Sequence, residues 1–190
     1  MKKNSKINEL FEESSKIIHD SKKLEDEIFN SILLISKSLK NKNKIIIFGN
    51  GGSAADAQHM AGELIGRYLL ERKSLSAIAL TTDSSIITGL GNDYGFENIF
   101  VRQCEGLVKS GDVVIGISTS GNSKNVIKGL SKSKSLGAKT ISLTGKNVSK
   151  MKKYSDIIIP VPSDLTPRIQ EAHRTIIHII CEQIEKNYQK

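Results

Sequence analysis

Tryptophan is absent from the chain, and aromatic residues make up only 5% of it. The formal charge of +8 therefore has no stacking platforms interleaved with it, and of the lysines only Lys150, Lys152 and Lys153 cluster. A nucleic-acid surface needs basic grooves and aromatic platforms together, so the lysines read as a solvated surface and no nucleic-acid partner is expected. No apolar run approaches the ~20 residues of a membrane span, so no membrane partner is expected either. The only two cysteines, Cys104 and Cys181, fall in apolar helical patterns without a CxxC pairing and read as buried, reduced thiols. GxxxxGK[ST] occurs nowhere, which argues against nucleotide hydrolysis. The opening MKKNSKINELFEESSK has basic residues but no apolar segment behind them, unlike a secretory signal, and a cytoplasmic location is expected.

What is present is a succession of short β-branched runs alternating with helical patterns. Strands are expected at 45–48, 76–80, 112–117, 139–143 and 156–161, and helices at 5–20, 24–41, 53–71, 84–90, 96–108, 123–136, 148–153 and 167–188. Strands alternating with helices imply right-handed crossovers and a parallel sheet covered on both faces. The expected fold class is α/β: a three-layer, doubly wound, five-stranded parallel sheet with extra N-terminal helices. No linker divides the 190 residues, so they read as one domain (1–190), with a helical packing and oligomerisation segment over about 1–41 and an αβα core over 44–190. In the second helix Leu24, Ile28, Ile32, Ile35 and Leu39 recur at helical spacing, and Leu33 and Leu34 widen the apolar face. The two N-terminal helices carry more apolar surface than one sheet face needs, which points to subunit contacts.

The chain is organised around KIIIFGNGGSAADAQHMAGE, residues 44–63. A buried strand breaks at Gly49-Asn50-Gly51-Gly52, where glycine lets a ligand approach the main chain. Ser53 is expected to cap the helix that follows, leaving first-turn N–H groups for an anion. On that helix His59 and Glu63 are four apart, hence on one face, and are expected near the loop. The polar loops follow the strands rather than precede them, and in open parallel sheets ligands bind beyond the carboxyl ends of the strands. STSGNS at 118–123 offers Ser118, Thr119, Ser120 and Ser123 with no Lys or Arg, donors suited to a phosphate monoester; the plain alternative is a turn that caps a helix. Gly49 to Ala54 can be forced onto GxGxxA, but Glu71 precedes the second strand and Asp83 stands too far along, so no nucleotide cofactor is expected. In the last helix Gln170, Arg174 and His178 form a polar stripe at four-residue spacing on an otherwise apolar surface, read as part of a site rather than as core polar residues.

At GNGGSAADAQHMAGE, GLGNDYGF, GISTSGNS and RIQEAHRTIIH the chain resembles the phosphoheptose isomerases of the sugar isomerase (SIS) domain class, from about residue 5 to its end. The resemblance implies an SIS fold and conversion of sedoheptulose 7-phosphate to D-glycero-D-manno-heptose 7-phosphate, the entry to activated heptose for lipopolysaccharide core or capsule. It also implies a cytoplasmic homotetramer with sites at subunit contacts, and zinc, one per subunit. Matched by motif, Asn50, Gly51, Gly52 and Ser53 belong to the first substrate loop and Asn92 and Asp93 to a second substrate-contacting pair. Ser118, Thr119, Ser120 and Ser123 match the phosphate loop. His59, Glu63, Gln170 and His178 match the metal ligands, with Glu63 and Gln170 also at the substrate, and Glu63 and His178 match the acid/base pair.

The chemistry asks for such a set. Moving a proton from C1 to C2 through a cis-enediol needs one base that reaches both carbons and a second group for the oxygen protons, each typically worth ~10²–10⁴ in rate. A metal would polarise the carbonyl. The competing expectation is a non-catalytic SIS protein that binds sugar phosphate or associates with a replication initiator. The initiator-binding relatives lack the acid at position 63 and the histidine at 178, both of which are present here.

Overall fold

The computed structural model describes residues 5–148 and 150–188. Two helices, α1 (Ser5–Asp20) and α2 (Glu25–Lys40), lead into alternating elements: β1 (Ile45–Gly49), α3 (Gly52–Ile65), β2 (Ala77–Ala79), α4 (Ser84–Tyr94), α5 (Ile99–Leu107), β3 (Val113–Ser118), α6 (Lys124–Ser135), β4 (Lys139–Thr144), β5 (Ile157–Pro160) and α7 (Thr166–Lys186). The five strands form one parallel sheet in the order β2-β1-β3-β4-β5. This is the expected doubly wound α/β architecture.

Alternation along the strands builds two cores, because successive side chains leave a strand on opposite faces. Ile45, Ile47, Ile115, Ile117, Ile141 and Leu143 enter a layer shared with α2, α3 and α7. Ile46, Phe48 and Val114 enter the other, where Phe48 stacks on Phe100 of α5 at 4.7 Å. Gly129 of α6 permits that stack, since a Cβ there would stand 2.8 Å from the Phe48 ring. Each fully buried Ile contributes about 1.5–3 kcal/mol relative to exposure. Cys104 and Cys181 are buried and free, and burial raises their thiol pKa values to about 11 and about 12.

Three expectations are corrected. The third helix stops at Ile65 rather than 71, because Gly66 ends it and the following loop is tied down by a buried ion pair. Glu185 accepts the Tyr68, Leu69 and Leu70 N–H groups at 2.8, 2.6 and 2.8 Å, while Arg72 donates to the carbonyls of Glu63, Leu64, Gly66 and Lys73. Burial works against the Glu185 carboxylate, yet those N–H groups and Arg72 hold its pKa below the ordinary range. Second, the helix expected over 148–153 is replaced by a single 3-10 turn at Lys152–Tyr154, residue 149 lying outside the described residues. Third, Ser53 does not cap α3; Gly51 holds that position at φ 56°, ψ −122°, and the helix begins at Gly52.

The apolar excess of the N-terminal helices is present in the structure. Ile28, Ile32, Ile35 and Leu39 are buried, whereas Ile7, Leu10, Phe11, Phe29 and Leu33 remain exposed.

Candidate active site

The strand order reverses between β1 and β3, and the crevice outside their carboxyl ends is where doubly wound sheets bind ligands. The two loops leaving these strands are joined by a reciprocal amide pair. Asn50 Nδ2 donates to Asn125 Oδ1, and Asn125 Nδ2 donates to Asn50 Oδ1, each at 2.9 Å. Asn125 was not singled out by sequence, because one amide in a helical first turn gives no sign of its partner seventy-five residues away. Ser53 is buried beneath the Gly49 turn, where its N–H meets the Asn50 carbonyl at 3.0 Å.

The second loop is shaped by Gly121 at φ 64°, a left-handed conformation suited to glycine, where a Cβ would also collide with the Asn147 carbonyl. Ser123 occupies the N-cap of α6 without capping it through its side chain, because its hydroxyl pairs with that of Ser118 at 2.9 Å. Ser120 is exposed and accepts the Asn122 N–H at 3.2 Å, which leaves its own proton to donate. Thr119 is half-buried between them, its carbonyl accepting the Gly145 N–H at 3.0 Å. The loop thus offers hydroxyls and a helix N-terminus without a cation, a surface that suits a phosphate held by many hydrogen bonds.

The titratable groups lie elsewhere. α3 and α7 each follow a strand of a parallel sheet onto the same face, so they run alongside in the same direction and match positions down their length. Gly52 faces Gln170, whose amide a Cβ on Gly52 would strike. Asp56 faces Arg174, with Arg174 Nε and Nη2 on Asp56 Oδ1 at 2.9 and 2.6 Å. One turn on, Arg174 Nη1 reaches His59 Nδ1 at 2.5 Å, His59 Nε2 meets Glu63 Oε1 at 2.9 Å, and His178 Nε2 approaches His59 Nε2 at 3.2 Å. One ligand atom from each of His59, Glu63 and His178 lies within 4.8 Å of the others, a donor set of two imidazoles and a carboxylate. Tyr68, from the loop after α3, leans on His178 with ring centroids 5.6 Å apart.

Burial, then the neighbouring His59, lowers the His178 pKa; Glu63 opposes this and Arg174 adds to it. His178 is therefore a neutral imidazole at pH 7. His173, on the opposite side of α7, is a core residue. It is fully buried with Nε2 on the Thr144 carbonyl at 3.1 Å, and burial lowers its pKa to about 4.

The structure brings together three of the four residues matched as metal ligands. Gln170 stands eight residues before His178 on α7, about 12 Å along its axis, so within one chain it does not join them. Of the pair expected near the glycine loop, His59 stands seven residues beyond Gly52, about 10 Å at helical rise, and Glu63 one turn further. Glu63 is eleven residues beyond Gly52, about 16 Å at helical rise. Asn92 and Asp93 lie at the last turn of α4, both exposed, with Asn92 Nδ2 donating to Asp93 Oδ1 at 2.9 Å. That helix has no buried residue, so within one chain the pair faces solvent.

Residues 9–145 match the family model described as SIS domain. The chain is 56% identical over 165 residues to the phosphoheptose isomerase of Helicobacter pylori strain P12, covering 87% of this chain and 86% of that protein. It is 52% identical over 182 residues to the phosphoheptose isomerase of Aquifex aeolicus strain VF5, covering 95% of each. Among solved structures, a phosphoheptose isomerase from Francisella tularensis superposes with a TM-score of 0.93 at 35% identity, over 98% of this chain and 100% of that one.

Proposed function

The chain belongs to the SIS-domain family, with phosphoheptose isomerases as its near-full-length relatives, and from that membership we infer that it converts sedoheptulose 7-phosphate to D-glycero-D-manno-heptose 7-phosphate. It is an aldose-ketose isomerase of heptose synthesis. The observation that carries the reading is the meeting of Glu63 with His59 and His178 on two parallel helices, apart from the hydroxyl loop. A heptulose 7-phosphate has its phosphate on the last carbon and its reacting carbonyl at the first two. Separate phosphate-holding and proton-moving groups suit that shape. The non-catalytic reading is not favoured, because its discriminating positions hold an acid and a histidine that touch a common neighbour.

In this mechanism Ser118, Thr119, Ser120 and Ser123 hold the phosphate, and the Asn50 to Gly52 turn binds the sugar. Glu63 takes the C1 proton and returns it to C2. His178, neutral at pH 7, accepts and donates the oxygen protons of the cis-enediol. The fit of the three-residue cluster to zinc, one ion per subunit, is supported by spacing. Two ligands on a tetrahedral zinc with bonds of ~2.0–2.1 Å stand about 3.3 Å apart, against 2.9 and 3.2 Å here. An ion held there would supply Lewis-acid polarisation of the substrate carbonyl, and it would compete with proton transfer for the lone pairs of Glu63 and His178.

The separation of Gln170, and of Asn92 and Asp93, from the cluster supports a site completed by other subunits of a homotetramer. The exposed apolar residues of α1 and α2 supply the surface for it. Among the described residues no helix is long and apolar enough to cross a membrane, in keeping with a cytoplasmic enzyme. The test is incubation of the purified chain with sedoheptulose 7-phosphate in deuterated water. Aldoheptose phosphate with deuterium at C2 is expected, together with exchange of the C1 proton in the recovered ketose; binding of the sugar phosphate without C1 exchange would make the chain a sensor or adaptor.

A further inference from the structure

Arg174 sits on α7 between Gln170 and His178, and the proton-transfer scheme gives it no task. Its side chain is 40% exposed, yet its guanidinium is spent on two inward-facing groups, Asp56 and the outer nitrogen of His59. A guanidinium can only donate, so the His59 Nδ1 it reaches must present a lone pair. A neutral imidazole with its lone pair on Nδ1 carries its proton on Nε2. That proton then points at Glu63 Oε1 and at His178 Nε2, the neighbours found at 2.9 and 3.2 Å.

A metal ion in the cluster requires the opposite tautomer. Nε2 of His59 must offer its lone pair, and Nδ1 must carry the proton and give it to an acceptor. A second observation supplies that acceptor. Asp56 is 2% exposed, and while its Oδ1 is held by Arg174, its Oδ2 has no hydrogen-bond partner among the described residues. Asp56 and His59 are three apart on α3, hence neighbours on one face.

We propose that Arg174 and a metal ion compete for His59: the guanidinium on Nδ1 locks the metal-incompetent tautomer, and loading moves the ring proton from Nε2 to Nδ1, where it is donated as a hydrogen bond to the free oxygen of Asp56 as Arg174 withdraws. Arg174 is a positioning residue in this scheme. Its permanent charge beside the cluster opposes a cation as well, so this chain holds metal more weakly than the same three ligands would without the arginine. The inference rests on His59, Glu63 and His178 being the metal ligands.

The test is competition with a chelating zinc dye for wild type, Arg174→Met and Arg174→Lys, alongside long-range proton–nitrogen spectra of the histidine rings. Arg174→Met removes the charge and the donors while keeping bulk, and is expected to bind zinc about 10–100-fold more tightly, the usual reach of groups that orient a ligand. Arg174→Lys, still cationic and still a donor, should stay near wild type. In metal-free wild type His59 should be protonated on Nε2, and in the zinc-loaded protein on Nδ1. Equal affinities for wild type and Arg174→Met, or an Nδ1 proton on His59 in metal-free wild type, overturn the proposal while leaving the metal site intact. Failure of both proteins to bind zinc overturns the metal site and this proposal together. The wild-type spectra keep the test decisive if Arg174→Met does not fold.

Discussion

The two ends of the α3–α7 wall are built on opposite principles. At the end nearest the strand tips, Gly51, Gly52 and the hydroxyls of 118–123 offer donors without a charged side chain, and an amide pair, Asn50 with Asn125, fixes the loops to each other. Further along, a carboxylate, two imidazoles and a guanidinium crowd into contact. Neutral donors hold a phosphate in the ground state and the transition state alike, whereas titratable groups change state during the reaction. On the proposed mechanism the molecule separates binding from chemistry, and kinetics can tell the ends apart.

The largest effect is expected at the charged end. Glu63→Gln keeps the shape of the side chain but removes the proton acceptor, so kcat should fall by ~10² or more with KM little changed. C1 exchange with solvent deuterium should stop in parallel. His178→Ala should be comparably damaged and the double variant little worse, since residues acting as a unit are non-additive. Near-normal turnover of Glu63→Gln after metal removal would put the base elsewhere.

A second effect contrasts the two histidines of α7, one in the core and one in the site. His173 has its pKa lowered from 6.5 to about 4 by burial, so between those values the unfolded chain binds a proton that the folded one refuses. Stability is then full above pH 6.5 and declines as pH falls toward 4, by up to about 3 kcal/mol. His178 is shifted in the same direction and adds to the decline. Urea titrations across this range should show the slope, and His173→Gln should flatten it; an unchanged slope in that variant would place the titrating group elsewhere.

The smallest effect belongs to the neutral end. Ser120→Ala removes one exposed hydroxyl and should raise KM more than it lowers kcat, at a cost of roughly 1–3 kcal/mol if a charged oxygen loses its partner. A purely kcat effect would merge the two ends that the structure keeps apart. The comparison is sharpened by mass: light scattering at micromolar concentration should return a tetramer, and a monomer would leave Asn92, Asp93 and Gln170 without a neighbouring site to join.

Much of this was legible in the residues. β-branched runs bounded by glycine gave the strands, and the residues after them gave the loops. What failed was reach. Four-residue spacing shows that His59 and Glu63 share a face, but not that about 16 Å of helix separates Glu63 from the glycine loop. Similarly, Gln170, Arg174 and His178 read as one stripe, yet they meet different turns of α3: Gln170 faces Gly52, Arg174 bonds Asp56 and His59, and His178 meets His59. Arg72 and Glu185 had no sequence signature at all, because an ion pair between a loop and a distant helix depends on how the chain packs.

By itself the sequence determined the period of all five strands and of the long helices, the parallel α/β class and the chemical character of the loops after the strands, since these follow from local sterics and from which side chains prefer water. Only the tertiary structure decided which polar groups touch. α3 and α7 had to pack side by side on one face of the sheet before Glu63 and His178 shared His59, before Asp56 was buried, and before Arg174 could dictate which nitrogen of His59 carries its proton.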